Sequence, residues 1–281
     1  MSNAPKSTTL PVKGRLDERS RHLRNMVIDA LEGGARGHPG AALSLIEILR
    51  VLYDDVLRFR SDEPDWPERD RLILSKGHGC LALYAMLADK GYIPAEELNR
   101  QSRPGAMLGG HPEDHIPGVE ASTGSLGHGL AIGNGLALAA RMQKRDSRVF
   151  VIMGDGEINE GSVWEAAMCA AKHGLENLVA IIDRNKLQSY GPTAEVLDIE
   201  PLADKWRSFG FAVGEADGHD VAALRDVFRM TPIEPGRPSV IICHTVKGRG
   251  VSMAEHNPEW HHKSYLSDAE IAEIRKSIGE S

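Results

Sequence analysis

Apolar residues are distributed along the chain in two alternating modes. Short unbroken apolar runs lie at 71–74, 148–153, 178–183, 211–215 and 239–243. Around them are stretches whose apolar positions recur every three to four residues, at 16–32, 42–56, 80–90, 161–174, 200–209, 219–230 and 267–278. The first of these is apolar at Leu23, Val27, Ile28 and Leu31, and Gly33-Gly34 stops it. Runs of the first kind predict strands buried on both faces, and stretches of the second kind predict helices. Their alternation predicts an α/β fold, a parallel sheet with helices on both faces. In such a sheet ligands bind beyond the carboxyl ends of the strands, so the polar residues after each apolar run carry the functional information.

The segments outside this alternation narrow the picture. Residues 1–15 read as a disordered lead-in, and 16–281 as one domain. Residues 61–69 form a Pro-rich acidic loop, and 101–123 are rich in Gly, Pro and His without periodicity. A structureless stretch of that length inside a domain points to function or disorder. The following segment, TGSLGHGLAIGNGLALAAR, predicts a Gly- and Ala-rich helix over 124–141. Its small residues permit close packing, and its Gly-rich start is expected to offer free backbone N–H groups to an anion.

Composition excludes several classes. The chain has 281 residues and a formal net charge of −7, so it has no global positive field to hold nucleic acid or an anionic membrane. No run of 18 apolar residues or signal-like N-terminus is present, which predicts no membrane span and a cytoplasmic protein. Cys80, Cys169 and Cys243 are widely separated and form no Cys-x-x-Cys, which argues against a zinc ribbon or a disulfide framework. An anionic ligand would then need local donors. Four of the 12 histidines sit in Gly-rich turns, at His38, His78, His111 and His128. Glycine allows close backbone approach and histidine brings a donor, an acceptor or a proton.

The run ending at 153 is followed by Gly154-Asp155-Gly156, and the run ending at 183 by Arg184-Asn185-Lys186-Leu187. A right-handed crossover between parallel strands puts both ends on one sheet edge. An aspartate carboxylate and an asparagine carbonyl are hard oxygen ligands, suited with a backbone carbonyl to Mg²⁺ whose shell is completed by phosphate oxygens. Asp and Asn also serve in ordinary turns, so a lone Gly-Asp-Gly would mean little. Here an apolar strand precedes each polar element, and 28 residues (157–184) separate the Gly-Asp-Gly from Asn185, the pattern of a thiamine diphosphate motif.

With these pieces in place the sequence resembles the N-terminal, diphosphate-binding part of transketolase over about residues 20–265. The matching blocks are GHPG (37–40), SKGHGCLALY (75–84), GGHPE (109–113), TGSLGHGL (123–130), GDGEINEGSVWEA (154–166), DRNKLQ (183–188) and VKGRGVSMAEHNPEWHHK (246–263). The resemblance implies a thiamine-diphosphate-binding fold. It implies Mg²⁺ (or Ca²⁺) held by the side chains of Asp155 and Asn185 and the backbone carbonyl of Leu187. His78, Gly154, Gly156 and His261 would meet the diphosphate, and Gly124, Ser125 and Leu126 the aminopyrimidine. His38, His78, His111 and His261 would line the sugar channel and act on substrate hydroxyls and oxygen charge. Glu160, also counted with the catalytic and cofactor-binding residues, would join Glu165 as a buried acidic link between paired active sites.

The resemblance stops short of a whole transketolase. The pyrimidine-binding domain, which supplies the glutamate that activates the cofactor, and the C-terminal domain are absent from these 281 residues. The chain ends after a helix, at KSIGES, and is expected to be the complete N-terminal subunit of a split transketolase. A separate C-terminal subunit would complete an α2β2 assembly, with helices 124–141 and 161–174 as interface elements. The implied activity is a glycolaldehyde transferase: a two-carbon ketol unit passes from a ketose or ketose phosphate to an aldose, in carbohydrate metabolism such as a pentose phosphate route. The alternatives are part of an enzyme that acts on a 2-oxo acid (a dehydrogenase component or a deoxyxylulose-phosphate synthase-like enzyme) and a non-catalytic cofactor-binding module. A dinucleotide-binding domain fits poorly, because the close-spaced glycines of 124–135 do not follow the first strand of a clear βαβ unit.

Overall fold

In a computed structural model the described residues are 15–34, 37–260 and 266–281. The expected lead-in lies outside them apart from Arg15, and so does His261. The chain opens with α1 (Glu18–Gly34), α2 (Pro39–Leu43) and α3 (Ile46–Val51), the last running into a π-helical turn at Leu52–Val56. Strand β1 (Arg71–Leu74) leads to α4 (Cys80–Asp89), and a long irregular segment then reaches α5 (Gly129–Met142). The alternation continues as β2 (Val149–Gly154), α6 (Gly161–Lys172) and β3 (Leu178–Arg184). A two-residue-by-two-residue antiparallel hairpin, β4 (Leu187–Gln188) and β5 (Gly191–Pro192), precedes α7 (Thr193–Val196) and α8 (Leu202–Ser208). The remainder is β6 (Ala212–Asp217), α9 (Val221–Arg229), β7 (Ser239–His244) and α10 (Asp268–Glu280).

Five strands form one sheet in the order β1-β2-β3-β7-β6, with every pairing parallel. All residues of β2, β3 and β7 are buried, as unbroken apolar runs require. Successive side chains point to opposite faces. Phe150, Ile152, Val179, Ile181 and Ile241 therefore join α1, α3, α4, α9 and α10 in one core, while Val151, Met153, Ala180, Ile182 and Val240 join α5, α6 and α8 in the other. On that second face α5 lies very close to the sheet, since a Cβ on Gly133 would stand 2.5 Å from Val151 Cγ2. Register aligns Gly154 with Asp183 and Asp183 with Cys243, so the residues after β2, β3 and β7 emerge on one edge.

Two expectations need correction. The single helix over 42–56 is broken at 44–45, where buried Ser44 turns its hydroxyl to Ala41 O (3.1 Å) and to the Asp183 carboxylate (2.7 Å). The helix expected from 124 begins at Gly129, and 124–128 is an irregular turn. Its first amides are not free: Gly127 N–H donates to Glu157 (2.9 Å) and Gly129 N–H to Ser75 Oγ (3.1 Å). Among the described residues no helix is long and apolar enough to cross a membrane.

Candidate functional site

The carboxyl ends of β1, β2 and β3 open into a cavity of about 250 Å³. Its walls are His38, Lys76, His78, His111, Gly124, Leu126, Gly154, Asp155, Gly156, Glu157, Asn185, Leu187, Gln188, Ser189 and Lys247. Residues from seven separate stretches of sequence thus meet at one sheet edge.

Asp155, the first residue past β2, is fully buried. One carboxylate oxygen accepts from Gly156 N–H at 2.9 Å, and the other accepts from Arg184 Nη1 at 3.1 Å and from Lys186 N–H. The last bond depends on Lys186 adopting a left-handed φ of 67°, a costly conformation for a lysine that turns the chain back over the site. Asn185 Oδ1 accepts from Leu187 N–H at 3.1 Å, and the Leu187 carbonyl accepts from Lys247 Nζ at 3.1 Å. Carboxylate, amide oxygen and backbone carbonyl therefore share one wall.

That donor set fits a hard divalent cation. Among the described residues no group of three or more His, Cys, Asp or Glu side chains could hold a metal, so a metal here needs the mixed oxygen set. One carboxylate with two neutral oxygens suits Mg²⁺ or Ca²⁺ with a phosphate completing the shell. Burial pushes the Asp155 carboxyl above its ordinary range; Arg184 opposes this and the neighbouring Asp183 adds to it. A cation beside Asp155 would offset that penalty.

The floor of the cavity is a buried charge network. Lys76 pairs with Asp183 and also donates to Ala41 O at 3.3 Å. Thr245 and Ser44 donate to the same carboxylate. Burial alone would raise the Asp183 carboxyl, but Lys76 and these donors outweigh it and hold it below its ordinary value. Glu157 accepts from Ser75 Oγ, Gly127 N–H (2.9 Å) and Gly154 N–H (3.0 Å), tying the ends of β1 and β2 to the turn before α5. Burial lifts its carboxyl above the usual range, partly opposed by these donors. Lys247, 3% exposed, is pushed down to about 7 by burial and by the nearby Lys76, against the pull of Asp155 and Asp183.

The histidines divide. The rings of His38 and His78 meet edge-on with centroids 6.0 Å apart, and His111 is a third wall residue. Gly124 packs against His111 with φ 148°; a Cβ there would sit 3.1 Å from the ring, so glycine lets chain and imidazole share the wall. Tyr84 donates to the His111 carbonyl at 2.6 Å, fixing that loop on α4. His128 is exposed outside the cavity, bonded to Leu126 O.

Of the other expected residues, Ser125 is exposed and is not a wall residue. Glu160 and Glu165 are exposed at the start of α6, not buried as an acidic pair within this chain. Lys76, Asp183, Glu157, Gln188 and Lys247 were not anticipated. The matched SKGHG and VKGRG blocks contain both lysines, which is the signal that could have found them.

This combination of a parallel sheet, an Asp–Asn–carbonyl oxygen wall and a lysine-floored cavity defines a diphosphate-binding α/β protein. The family described as transketolase, thiamine diphosphate binding domain, matches residues 17–281. The chain belongs to the transketolase family, as its N-terminal, thiamine diphosphate binding part. It is 42% identical over 247 residues to one subunit of the apulose-4-phosphate transketolase of Phocaeicola vulgatus, covering 88% of each chain. It is 40% identical to a 6-deoxy-6-sulfo-D-fructose transketolase subunit of Clostridium sp., covering 93% of this chain and 96% of that one. A solved transketolase from Leishmania mexicana superposes with a TM-score of 0.83 at 30% identity, over 95% of this chain and 45% of that one.

Proposed function

We propose that this chain is the diphosphate-binding subunit of a two-chain glycolaldehyde transferase, which moves a two-carbon ketol unit from a ketose to an aldose. The observation that carries the reading is the meeting of Asp155, Asn185 and the Leu187 carbonyl with His38, His78 and His111 around one cavity. When bound, thiamine diphosphate supplies the electron sink for cleaving the bond between C2 and C3 of the ketose.

The chain's own residues would hold, orient and neutralise. Asp155, Asn185 and Leu187 hold Mg²⁺ (or Ca²⁺), and the Gly154–Gly156 turn with His78 cradles the diphosphate. Lys76, and Lys247 in its protonated form, add positive charge from buried amines, where charge acts strongly. Gly124 and Leu126 border the aminopyrimidine. His38, His78 and His111 donate to substrate hydroxyls and to oxygen charge as it develops, and exchange protons with them. The role given to His261 falls outside the described residues.

The two relatives' names, with apulose-4-phosphate and 6-deoxy-6-sulfo-D-fructose as substrates and the designation "subunit", support two extensions. One is a donor ketose ending in an anionic group. The other is a partner chain that brings the pyrimidine-binding domain and its glutamate, in an α2β2 assembly where Glu160 and Glu165 could become buried. We place this assembly in the cytoplasm, within carbohydrate metabolism such as a pentose phosphate route.

The test is reconstitution. A candidate C-terminal subunit, the present chain and their mixture are assayed for ketol transfer from xylulose 5-phosphate to ribose 5-phosphate with thiamine diphosphate and Mg²⁺. Activity in the mixture alone is the expected result. Activity of the chain alone would remove the need for a partner glutamate. A mixture that consumes pyruvate and ignores ketoses would replace the ketol-transfer reading.

A further inference from the structure

Lys247 enters the cavity from the segment that leaves β7, and five consecutive residues there are tied to different parts of the fold. Thr245 Oγ1 donates to Asp183. Val246 N–H donates to Nε2 of His219 at 2.9 Å, and Lys247 Nζ to the Leu187 carbonyl at 3.1 Å. Gly248 N–H donates to the Gly40 carbonyl at 3.0 Å, and the Arg249 carbonyl accepts from Arg24 Nε at 2.9 Å. The anchors at Val246 and Arg249 lead to the same buried cluster. Arg24 grips Glu47 with two bonds of 2.6 and 3.0 Å, and His219 Nδ1 lies 2.7 Å from Glu47 Oε2. The side chains of Arg24, Glu47 and His219 are 0, 1 and 2% exposed.

The bonding fixes the state of the imidazole. Val246 N–H needs an acceptor, so Nε2 carries the lone pair and the proton sits on Nδ1, facing Glu47. Glu47 thereby selects the tautomer and holds the ring plane. Arg24 compensates the buried carboxylate, which would otherwise be strongly unfavourable. The arrangement runs from α1 and α3 through the residue before α9's cap to the backbone on either side of Lys247. Partners one step behind a ligand act in this way when they orient it.

We propose that His219, oriented by Glu47 and Arg24, is a positioning residue for the cofactor site: by accepting from Val246 N–H it fixes the direction from which Lys247 enters the cavity. This rests on reading that cavity as the diphosphate and cation site.

Two substitutions separate the halves of the imidazole. Asn at 219 can keep the bond to Glu47 but ends short of Val246. Gln reaches the place of Nε2 with an oxygen that can accept from Val246. Lys247 in the full-length chain is acetylated with acetic anhydride and quantified by peptide mass spectrometry against exposed Lys172. Affinity for thiamine diphosphate with Mg²⁺ is measured on the same variants mixed with the C-terminal subunit. His219→Asn should lower the affinity by about tenfold or more, the usual effect of losing an orienting partner, and should shift the labelling rate of Lys247. His219→Gln, which keeps an acceptor for Val246 N–H without the bond to Glu47, should stay much closer to the wild-type level than His219→Asn in both. Equal behaviour of the two variants overturns the proposal. Failure of wild-type protein, mixed with its C-terminal subunit, to bind thiamine diphosphate with Mg²⁺ would instead overturn the cofactor reading, while the labelling contrast still decides the role of His219. If His219→Asn does not fold, hydrogen exchange at the Val246 amide decides: protection in wild type and in His219→Gln supports the proposal, and open-loop exchange refutes it.

Discussion

Asp155 and Asp183 stand at neighbouring strand ends and are both buried, yet their environments push them in opposite directions. Asp183 is held ionised by Lys76, Thr245 and Ser44, which makes it structural. Removing one partner of a buried pair leaves the other charge uncompensated, so Asp183→Asn should lower stability in urea unfolding by about 3–5 kcal/mol. The sign of the pH effect follows from its lowered pKa. The contribution is present above the ordinary aspartate value of about 3.9 and is lost as pH falls through the lower folded value. The gap between wild type and Asp183→Asn should therefore close in strong acid. A gap that instead widened there would refute the assignment. Asp155 has the reverse sign: its raised pKa costs stability once pH exceeds the ordinary aspartate range, and a bound cation relieves that cost. Mg²⁺ should thus raise the melting temperature more at pH 7 than at pH 4. Asp155→Asn should abolish the Mg²⁺ effect and weaken thiamine diphosphate binding at least about tenfold, while leaving the fold in place by circular dichroism.

Helix α5 shows how one element can hold positions of opposite character. Gly133 faces Val151 so closely that any Cβ must lift the helix, whereas a Cβ on Gly135 meets nothing within 4 Å. Gly133→Ala should then be destabilising by about 1–3 kcal/mol through overpacking, and Gly135→Ala stabilising by about 0.5–1 kcal/mol through helix propensity, both read from urea midpoints of the isolated chain. The same helix marks the limit of what the sequence discloses. Strands β1, β2, β3 and β7 lie within a residue of their expected places because an unbroken apolar run has one stable solution in a covered parallel sheet. The start of α5 and the break at Ser44 are not legible in the sequence because contacts from distant segments decide them: Glu157 takes the Gly127 amide, Ser75 the Gly129 amide and Asp183 the Ser44 hydroxyl. For the site, Asp155, Asn185 and three of the four histidines in Gly-rich turns are legible from their strand-end and turn positions. Lys76 and Lys247 are not, since a lysine in a polar segment normally reads as a solvated charge and only the fold shows these two buried.

At the scale of the molecule, the outer side of the α5–α6 pair is unusually apolar for an open surface. Ile132 and Met142 on α5 and Met168 on α6 are 37, 82 and 54% exposed, and Asn134 binds these helices together through Ala166 O at 2.8 Å. Glu160 and Glu165 are exposed at the start of the same α6. Large apolar side chains left in the open are what the core of a subunit interface looks like before its partner covers it. The expectation that these two helices join subunits is open to a direct test on those side chains. Changing Ile132 and Met168 together to Asp removes apolar contacts that this chain does not bury. Surface changes of this kind usually alter chain stability by no more than about 0.5 kcal/mol each, but two carboxylates placed in an apolar contact would oppose association. The double variant should unfold at the same urea concentration as wild type, sediment as a smaller species with and without the C-terminal subunit, and lose ketol transfer in the mixture. An unchanged sedimentation profile with full activity would move the interface away from α5 and α6. Loss of activity with an unchanged profile would make these residues part of the site's support and not of the assembly.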